Sequence, residues 1–291
     1  MQALKLSPHQ IAAFTEVFRQ RSITEAAAIL GVTQSAVTQH LANLEKRIGA
    51  PLFLRYRSGL EPTKPAIELF SLTDQMRVLE QLVTETIGAY EKHSTGHLTV
   101  VANAPRPAMP LIASFSKRFP GVKINFSVIP WAISMQRLEA SQVDIAIVTE
   151  PLDLPGLYRE EILSQRMVAL IRRDHDLAKS KQVSLKDMAA KGLILPGEGT
   201  LTAREVRAAC RRFGIDLADA IEMTSYPVMK EAVLHGLGTA VALENSMYPE
   251  EELVSCPVKE MDKSYKTYLV TTGARRDLHF VRSFFDIALH P

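Results

Sequence analysis

The sequence predicts an α/β protein headed by an all-α-rich N-terminal module, on three observations. Residues 23–53 read as two helices joined by a tight turn. Residues 65–92 carry an apolar stripe at helical spacing. Beyond Gly96, short β-rich runs alternate with amphipathic helices, the pattern of a layered α/β domain. The 291 residues leave room for two or three domains, and 46% hydrophobic residues suffice for a substantial core, which excludes a disordered chain.

Thr24 to Leu30 is Ala-rich and suits close packing on a neighbour. Gly31 supplies the positive φ that ends this helix, and Thr33 caps the next. In that second helix Val37, Leu41, Leu44 and Ile48 fall at i, i+4, i+7 and i+11, an apolar stripe expected to pack inward. Gln34, Ser35, Thr38, Gln39 and Asn43 are left facing out. These side chains are short or neutral and hydrogen-bond in both directions. They suit the donor and acceptor pattern of base edges in the major groove of double-stranded DNA. The alternative is the polar face of a small helical bundle, but an ordinary solvated face carries more Lys and Glu. Leu52 and Phe53 then lead into a basic, Gly-closed hairpin, where Arg55 and Arg57 alternate with Tyr56 and fall on one side of a short strand. Guanidinium groups placed so reach phosphates or the minor groove, and Lys46 is assigned the same role.

A helix over Ser7 to Arg21, the run AAAILGVTQSAVTQHLANLEKRIGAPLFLR and the later Thr63 together resemble the LysR-type transcriptional regulators, over essentially the whole chain. The resemblance implies a winged helix-turn-helix in residues 1–64, with Thr63 in its DNA-binding set. It implies a long linker helix, 65–93, that pairs antiparallel into a homodimer, with a homotetramer as a further step. The remainder, 94–291, becomes a two-subdomain, periplasmic-binding-protein-like effector domain: subdomain I about 96–160 and 267–291, subdomain II about 161–266. The implied partners are a promoter inverted repeat, a small-molecule effector, a second copy of the chain and RNA polymerase. Where the family closes its wing with Leu-Thr-x-Ala-Gly, this chain has Pro62, Thr63, Lys64, Pro65 and Ala66. Pro65 lacks an N–H, so it belongs in the first turn of the following helix.

In that helix Ile67, Phe70, Met76, Leu79, Leu82, Val83 and Ile87 recur at helical spacing up to about Lys92. It spans about 40 Å, too long for the small N-terminal module to cover, so the stripe is expected to meet another copy. The alternative is packing on its own effector domain. His93 to Gly96 mark a hinge.

Strands are expected at His97–Ala102, Val122–Val128, Asp144–Val148, Met167–Arg172, Leu193–Leu195, Thr239–Leu243 and Thr267–Thr272. Helices are expected at Met109–Arg118, Met135–Ser141, Thr202–Phe213 and Pro227–Leu234. By the resemblance the chain crosses between subdomains near Pro155–Glu161 and returns near Lys266, and a last helix, Leu278–Leu289, lies back on subdomain I. Ligands in such folds bind where strand carboxyl ends and helix N-termini meet. The candidate effector residues are therefore Asn103, Arg106, Trp131, Thr200, Thr202, Thr224 and Ser225. Arg106 points to an acidic effector. Trp131 is a hydrophobic wall or a cation-binding face. The plain alternative makes Arg106 a surface residue and Trp131 a core plug.

The formal net charge is +2, unevenly placed: residues 1–64 hold eight Lys+Arg against four Asp+Glu, and the rest 26 against 28. Nucleic-acid contact is thus expected in the first module. No apolar run approaches membrane-spanning length and the start is not a signal peptide, so a cytoplasmic protein is expected. Cys210 and Cys256 offer no metal-ligand spacing. Neither a metal nor a cofactor is expected, while a redox switch at these cysteines is the alternative to effector control. An enzyme is the remaining alternative, with Asp144 as a candidate carboxylate. Against it, G-x-G-x-x-G, P-loop, H-E-x-x-H and G-x-S-x-G patterns are absent, and Gly236-Leu237-Gly238 reads as a tight helix-to-strand connection.

Overall fold

The computed structural model describes residues 6–56, 59–88, 96–246 and 248–290, the side chains of 85–88 excepted. Two compact units are present, Met1–Lys92 with Glu139–Gln142, and His93–Leu138 with Val143–Pro291.

In the first unit α1 (Pro8–Gln20), α2 (Ile23–Leu30) and α3 (Gln34–Ile48) start and stop where their caps dictate. Ser7 and Gln10 form a reciprocal capping box. Ser22 and Thr33 accept backbone N–H bonds at the next two N-termini, and Gly31 and Gly49 close their helices in the left-handed region. β1 (Phe53–Tyr56) pairs antiparallel with β2 (Gly59–Pro62). Then α4 (Lys64–Gly88) begins with Pro65 in its first turn, as the Pro62–Ala66 sequence requires. Phe14, Val17, Phe18, Val37, Leu41 and Leu44 form the core.

Two face assignments are corrected. Ile48 stays 39% exposed, because α3 ends at it and no element lies beyond to cover the stripe. Phe70 is not on the outward face of α4. Its ring stacks on Phe18 with centroids 3.9 Å apart, and Asp74, one turn on, pairs with the buried Arg19 of α1. With positions 70 and 74 turned toward α1, the 3.6-residue period leaves Leu72, Met76, Leu79 and Val83 exposed on another side. Leu82 is half-buried, and the side chain of Ile87 lies outside the described residues.

The second unit runs β3 (Gly96–Ala102), α5 (Pro105–Arg118), β4 (Val122–Val128), α6 (Trp131–Glu139), β5 (Ile145–Thr149), β6 (Leu157–Arg172), a 3-10 turn (Asp176–Lys179) and α7 (Leu185–Ala190). It continues with β7 (Leu193–Pro196), α8 (Leu201–Phe213), β8 (Ile221–Met223), α9 (Tyr226–Leu234), β9 (Thr239–Leu243), β10 (Leu253–Pro257), β11 (Ser264–Thr272) and α10 (His279–Leu289). The strand order is β4-β3-β5-β11-β6-β9-β7-β8, with β10 also on β6. β6 pairs with β11 from Leu157 to Arg166, and from Met167 onward with β9 and β10. The expected strand Met167–Arg172 is therefore only its second half. The first half, rich in Arg, Glu and Gln, has the composition of a crossing loop but becomes strand because β11 completes its ladder. α10 lies on α5 through Phe115 and Phe284, 5.5 Å apart. The helix expected from Met109 begins at Pro105 and the one expected from Pro227 begins one residue earlier, at Tyr226, since proline is accepted at N1 and N2. β8, β10 and α7 are too short to show a period. Among the described residues no helix is long and apolar enough to cross a membrane.

Gly236 and Gly238 join α9 to β9, as expected. A Cβ on Gly238 would fall inside contact distance of the Gly192 carbonyl group, a clash with backbone that no rotamer relieves. Gly238→Ala is expected to destabilise the protein by about 1–3 kcal/mol, read as a lower urea midpoint. An unchanged midpoint would show that the two backbones do not approach so closely.

Candidate functional site

The exposed face of α3 is built from its cap outward. Thr33 Oγ1 accepts from the Ala36 N–H at 3.2 Å and lies 2.9 Å from the Ser35 hydroxyl. Thr38 Oγ1 donates to the Gln34 carbonyl at 2.9 Å, and Gln39 Nε2 donates to Asn43 Oδ1 at 3.2 Å. Gln34, Ser35, Thr38, Gln39, Asn43 and Lys46 are all exposed along this face. The carboxylate of Glu45 is turned away to accept the Leu52 N–H at 2.8 Å. The structure thus brings the expected base-reading residues onto one polar face without an exposed carboxylate among them.

The wing is fastened at its base by contacts that sequence reasoning missed. Besides Glu45, the carbonyl of Arg21, itself the left-handed C-cap of α1, accepts the Leu60 N–H at 3.3 Å. Thr63 is half-buried, and its hydroxyl donates to the Pro51 carbonyl at 2.8 Å. Thr63 therefore pins the wing instead of presenting a free hydroxyl. The Arg21 guanidinium lies 4.4 Å over the Phe18 ring, and burial pulls its pKa below the usual arginine value. Arg55 is exposed on β1, while Arg57 lies outside the described residues. Nothing in residue type or spacing marks Glu45 or Arg21 for these roles, because their partners are backbone groups.

In the second unit, the expected effector residues gather at helix starts. Thr200 caps α8, accepting from Ala203 N–H at 3.2 Å. Thr202 is fully buried, 2.7 Å from the hydroxyl of Tyr226 on α9, and burial pushes that phenol's pKa up. Thr224 and Ser225 are exposed before α9, and Ser225 makes no side-chain cap. Asn103 is half-buried beyond β3, its N–H on the Ile147 carbonyl at 3.2 Å. α5 opens Pro105-Arg106-Pro107, so two of its terminal positions lack an N–H and Arg106 supplies the positive charge there. The Arg106 side chain reaches subdomain II, with Nη1 3.4 Å from the Glu244 carbonyl oxygen and its guanidinium 5.9 Å from the Tyr248 ring centroid. Trp131 opens α6 half-buried against the cluster of Val101, Met135, Leu138 and Val148, the packing position of the plain alternative.

Asp144 is committed to structure. It accepts the Thr99 N–H at 2.8 Å and lies 3.3 Å from Nε of the fully buried Arg275. Cys210 and Cys256 are free and buried in one apolar cluster. Burial raises the pKa of both thiols, which lowers the share of thiolate that redox chemistry draws on. Among the described residues no group of His, Cys, Asp or Glu has the arrangement of a metal site.

Two family models match the chain. "Bacterial regulatory helix-turn-helix protein, lysR family" covers residues 8–66 and "LysR substrate binding domain" covers 91–290. The RuBisCO operon transcriptional regulator of Allochromatium vinosum is 27% identical over 284 residues, 94% of this chain and 92% of that protein. A full-length OxyR structure from Pseudomonas aeruginosa superposes with a TM-score of 0.77 at 16% identity, covering 98% of this chain and 95% of the other. Full-length CbnR complexed with its target DNA gives a TM-score of 0.56 at 16% identity, over 96% and 98%.

For the two cysteines the expected outcome is slow chemistry. In the native protein iodoacetamide should modify both at least about tenfold more slowly than in denaturant. Labelling at the rate of an exposed thiol, or rapid modification by peroxide, would restore the redox alternative.

Proposed function

The chain belongs to the LysR family of bacterial helix-turn-helix regulators, and from that membership we propose which of its residues read DNA, how it assembles and where it is controlled. It is a DNA-binding transcriptional regulator with an effector-binding domain. In our reading a homodimer docks two copies of α3 in successive major grooves of a promoter inverted repeat. Gln34, Ser35, Thr38, Gln39 and Asn43 meet base edges, and Lys46, Arg55 and Arg57 hold phosphates. The observation that carries this is the exposed α3 face, polar yet bare of carboxylates beside a tethered wing. RNA polymerase is the further partner such a promoter-bound regulator would meet.

Assembly is assigned to α4. Leu72, Met76, Leu79 and Val83 fall at i, i+4, i+7 and i+11 and are exposed on the isolated chain, an unfavourable apolar stripe unless a second copy covers it. Control is assigned to the cleft between the subdomains. A small effector with an anionic group held by Arg106, and with Asn103, Thr200, Thr202, Thr224 and Ser225 around the strand ends, would favour one closure of the domain over another. Differential affinity for the two closures is the physical link to DNA, because it changes how paired DNA modules are held. The reading is of a binding protein without catalytic chemistry.

Two measurements test this. Lys46→Ala and Arg55→Ala, each removing one phosphate contact from both halves of the dimer, should each lower the dependence of log affinity on log salt by about 2 while leaving sequence preference in place. Unchanged slopes would remove both from the phosphate contacts. Leu79→Asp with Val83→Asp should give monomers in sedimentation, since unpaired charge in an apolar seam is costly. An unchanged dimer would move the interface off α4.

A further inference from the structure

The sheet of subdomain II has two faces, and register assigns each side chain to one of them. Met167, Ala169, Ile171 and Cys256 enter the core cluster that also contains Val206 and Cys210 of α8. Val168 pairs with Ala242 and Pro257, and Leu170 with Ala240 and Ser255. Antiparallel partners project to the same side, so these residues share the opposite face. α9, with nine residues, is only about 13 Å long. It packs against Leu170, Ala240 and Leu253, and beside it the face is open. There Val168, Ala242 and Ser255 floor a cavity of about 130 Å³, walled by Tyr248 and Lys230, with Arg106 of subdomain I among its lining residues.

The lining has a definite chemistry. Two cations, Arg106 and Lys230, and two acids, Glu244 and Glu250, surround an apolar floor. Lys230 donates to Glu250 at 2.7 Å and holds that carboxyl below its usual pKa. A ligand with one sign of charge would meet its own sign here. A ligand carrying both signs, one carbon apart, meets an opposite charge for each. Size narrows the choice, since a cavity of about 150 Å³ holds benzene and this one, at about 130 Å³ and open on one side, encloses about five non-hydrogen atoms and leaves the charged ends of a slightly larger ligand at its mouth.

We infer that this cavity binds a free α-amino acid with a small apolar side chain, its carboxylate on Arg106, its ammonium toward Glu244 and its side chain on Val168 and Leu170. The inference rests on the reading of this domain as an effector sensor with an Arg106-held anionic group, and it names the ligand class and the place. Because Arg106 comes from subdomain I and the floor from subdomain II, the bound amino acid ties the two together and favours their closed arrangement.

Calorimetry on the full-length protein tests it with four probes: L-valine, L-alanine, isovalerate and isobutylamine. The two amino acids should bind, and the acid and the amine should each bind at least about tenfold more weakly, the loss of one charge-assisted contact. Arg106→Gln should weaken L-valine by about tenfold or more. Val168→Phe, which fills the floor, and Ser255→Phe, which fills it from β10, should abolish L-valine binding while operator binding persists. That persistence reports that both variants fold. Isovalerate binding as tightly as L-valine and depending on Arg106 would overturn the amino-acid assignment and leave the anionic-effector reading standing. L-Valine binding that survives both fillings but is lost in Thr202→Val would place the ligand among the threonines and overturn the cavity. Silence from all four probes would overturn the inference as well. Full L-valine affinity in Arg106→Gln would overturn both the inference and the Arg106 reading beneath it.

Discussion

Strand β6 belongs to two sheets at once, and the geometry of the second unit follows from that. Its first half is hydrogen-bonded to β11 and its second half to β9 and β10, so a continuous ladder carries the chain from one subdomain to the other, and β11 brings it back. The crossing is fixed by buried polar groups that satisfy one another. Thr149 and Thr267 share a hydroxyl contact of 2.8 Å. Gln165 Nε2 donates to Thr267 Oγ1 at 3.0 Å, and Gln165 Oε1 accepts the Asn245 N–H at 3.0 Å. A one-residue slip would strand each of these groups without a partner in the interior. The register irregularity of β11 falls between Thr267 and Tyr268, beside this network.

The DNA-reading unit solves a different problem, that of holding a hairpin still beside a helix. The apolar core sets α1, α2 and α3, but the wing contributes little apolar surface of its own. Its position comes from three directional bonds, to Glu45, to the Arg21 carbonyl and from Thr63. The Arg19–Asp74 pair and the Phe18–Phe70 stack add the start of α4 to the same body. A buried ion pair contributes little net stability but penalises alternative packings in which either charge is left alone. Its location between α1 and α4 therefore specifies a single orientation for the linker helix within this unit.

Much of this was legible in the sequence, and the exceptions have physical causes. The caps at Ser7, Ser22 and Thr33 and the glycines after α2 and α3 are local signals, carried by residues within three positions of the bond they make, and the helix-turn-helix follows from them. Strands buried on both faces, such as Thr239–Leu243, declare themselves by composition. The first half of β6 does not, because its strand state comes from β11 about a hundred residues later. Faces were harder than elements: Phe70 and Leu79 stand about 180° apart on a helix of 3.6 residues per turn, so the stripe expected from the sequence joined two faces, of which α1 covers one. At the effector site the helix starts were readable. The direction of Arg106 was not, since its partners Glu244 and Tyr248 lie in a segment with no pattern of its own. The cavity floored by Val168, Ala242 and Ser255 arises from the register of β6 with β9 and β10, which cannot be read from one strand alone.

The base-reading role proposed for the α3 face is tested most directly by selection of binding sites from randomised duplex DNA. The full-length protein should enrich an inverted repeat, and Gln34→Ala should flatten the preference at one symmetric pair of positions by about 1–3 kcal/mol while the rest of the site is kept. Absence of any enriched repeat, or an identical site selected by the Gln34→Ala protein, would contradict base reading by this helix.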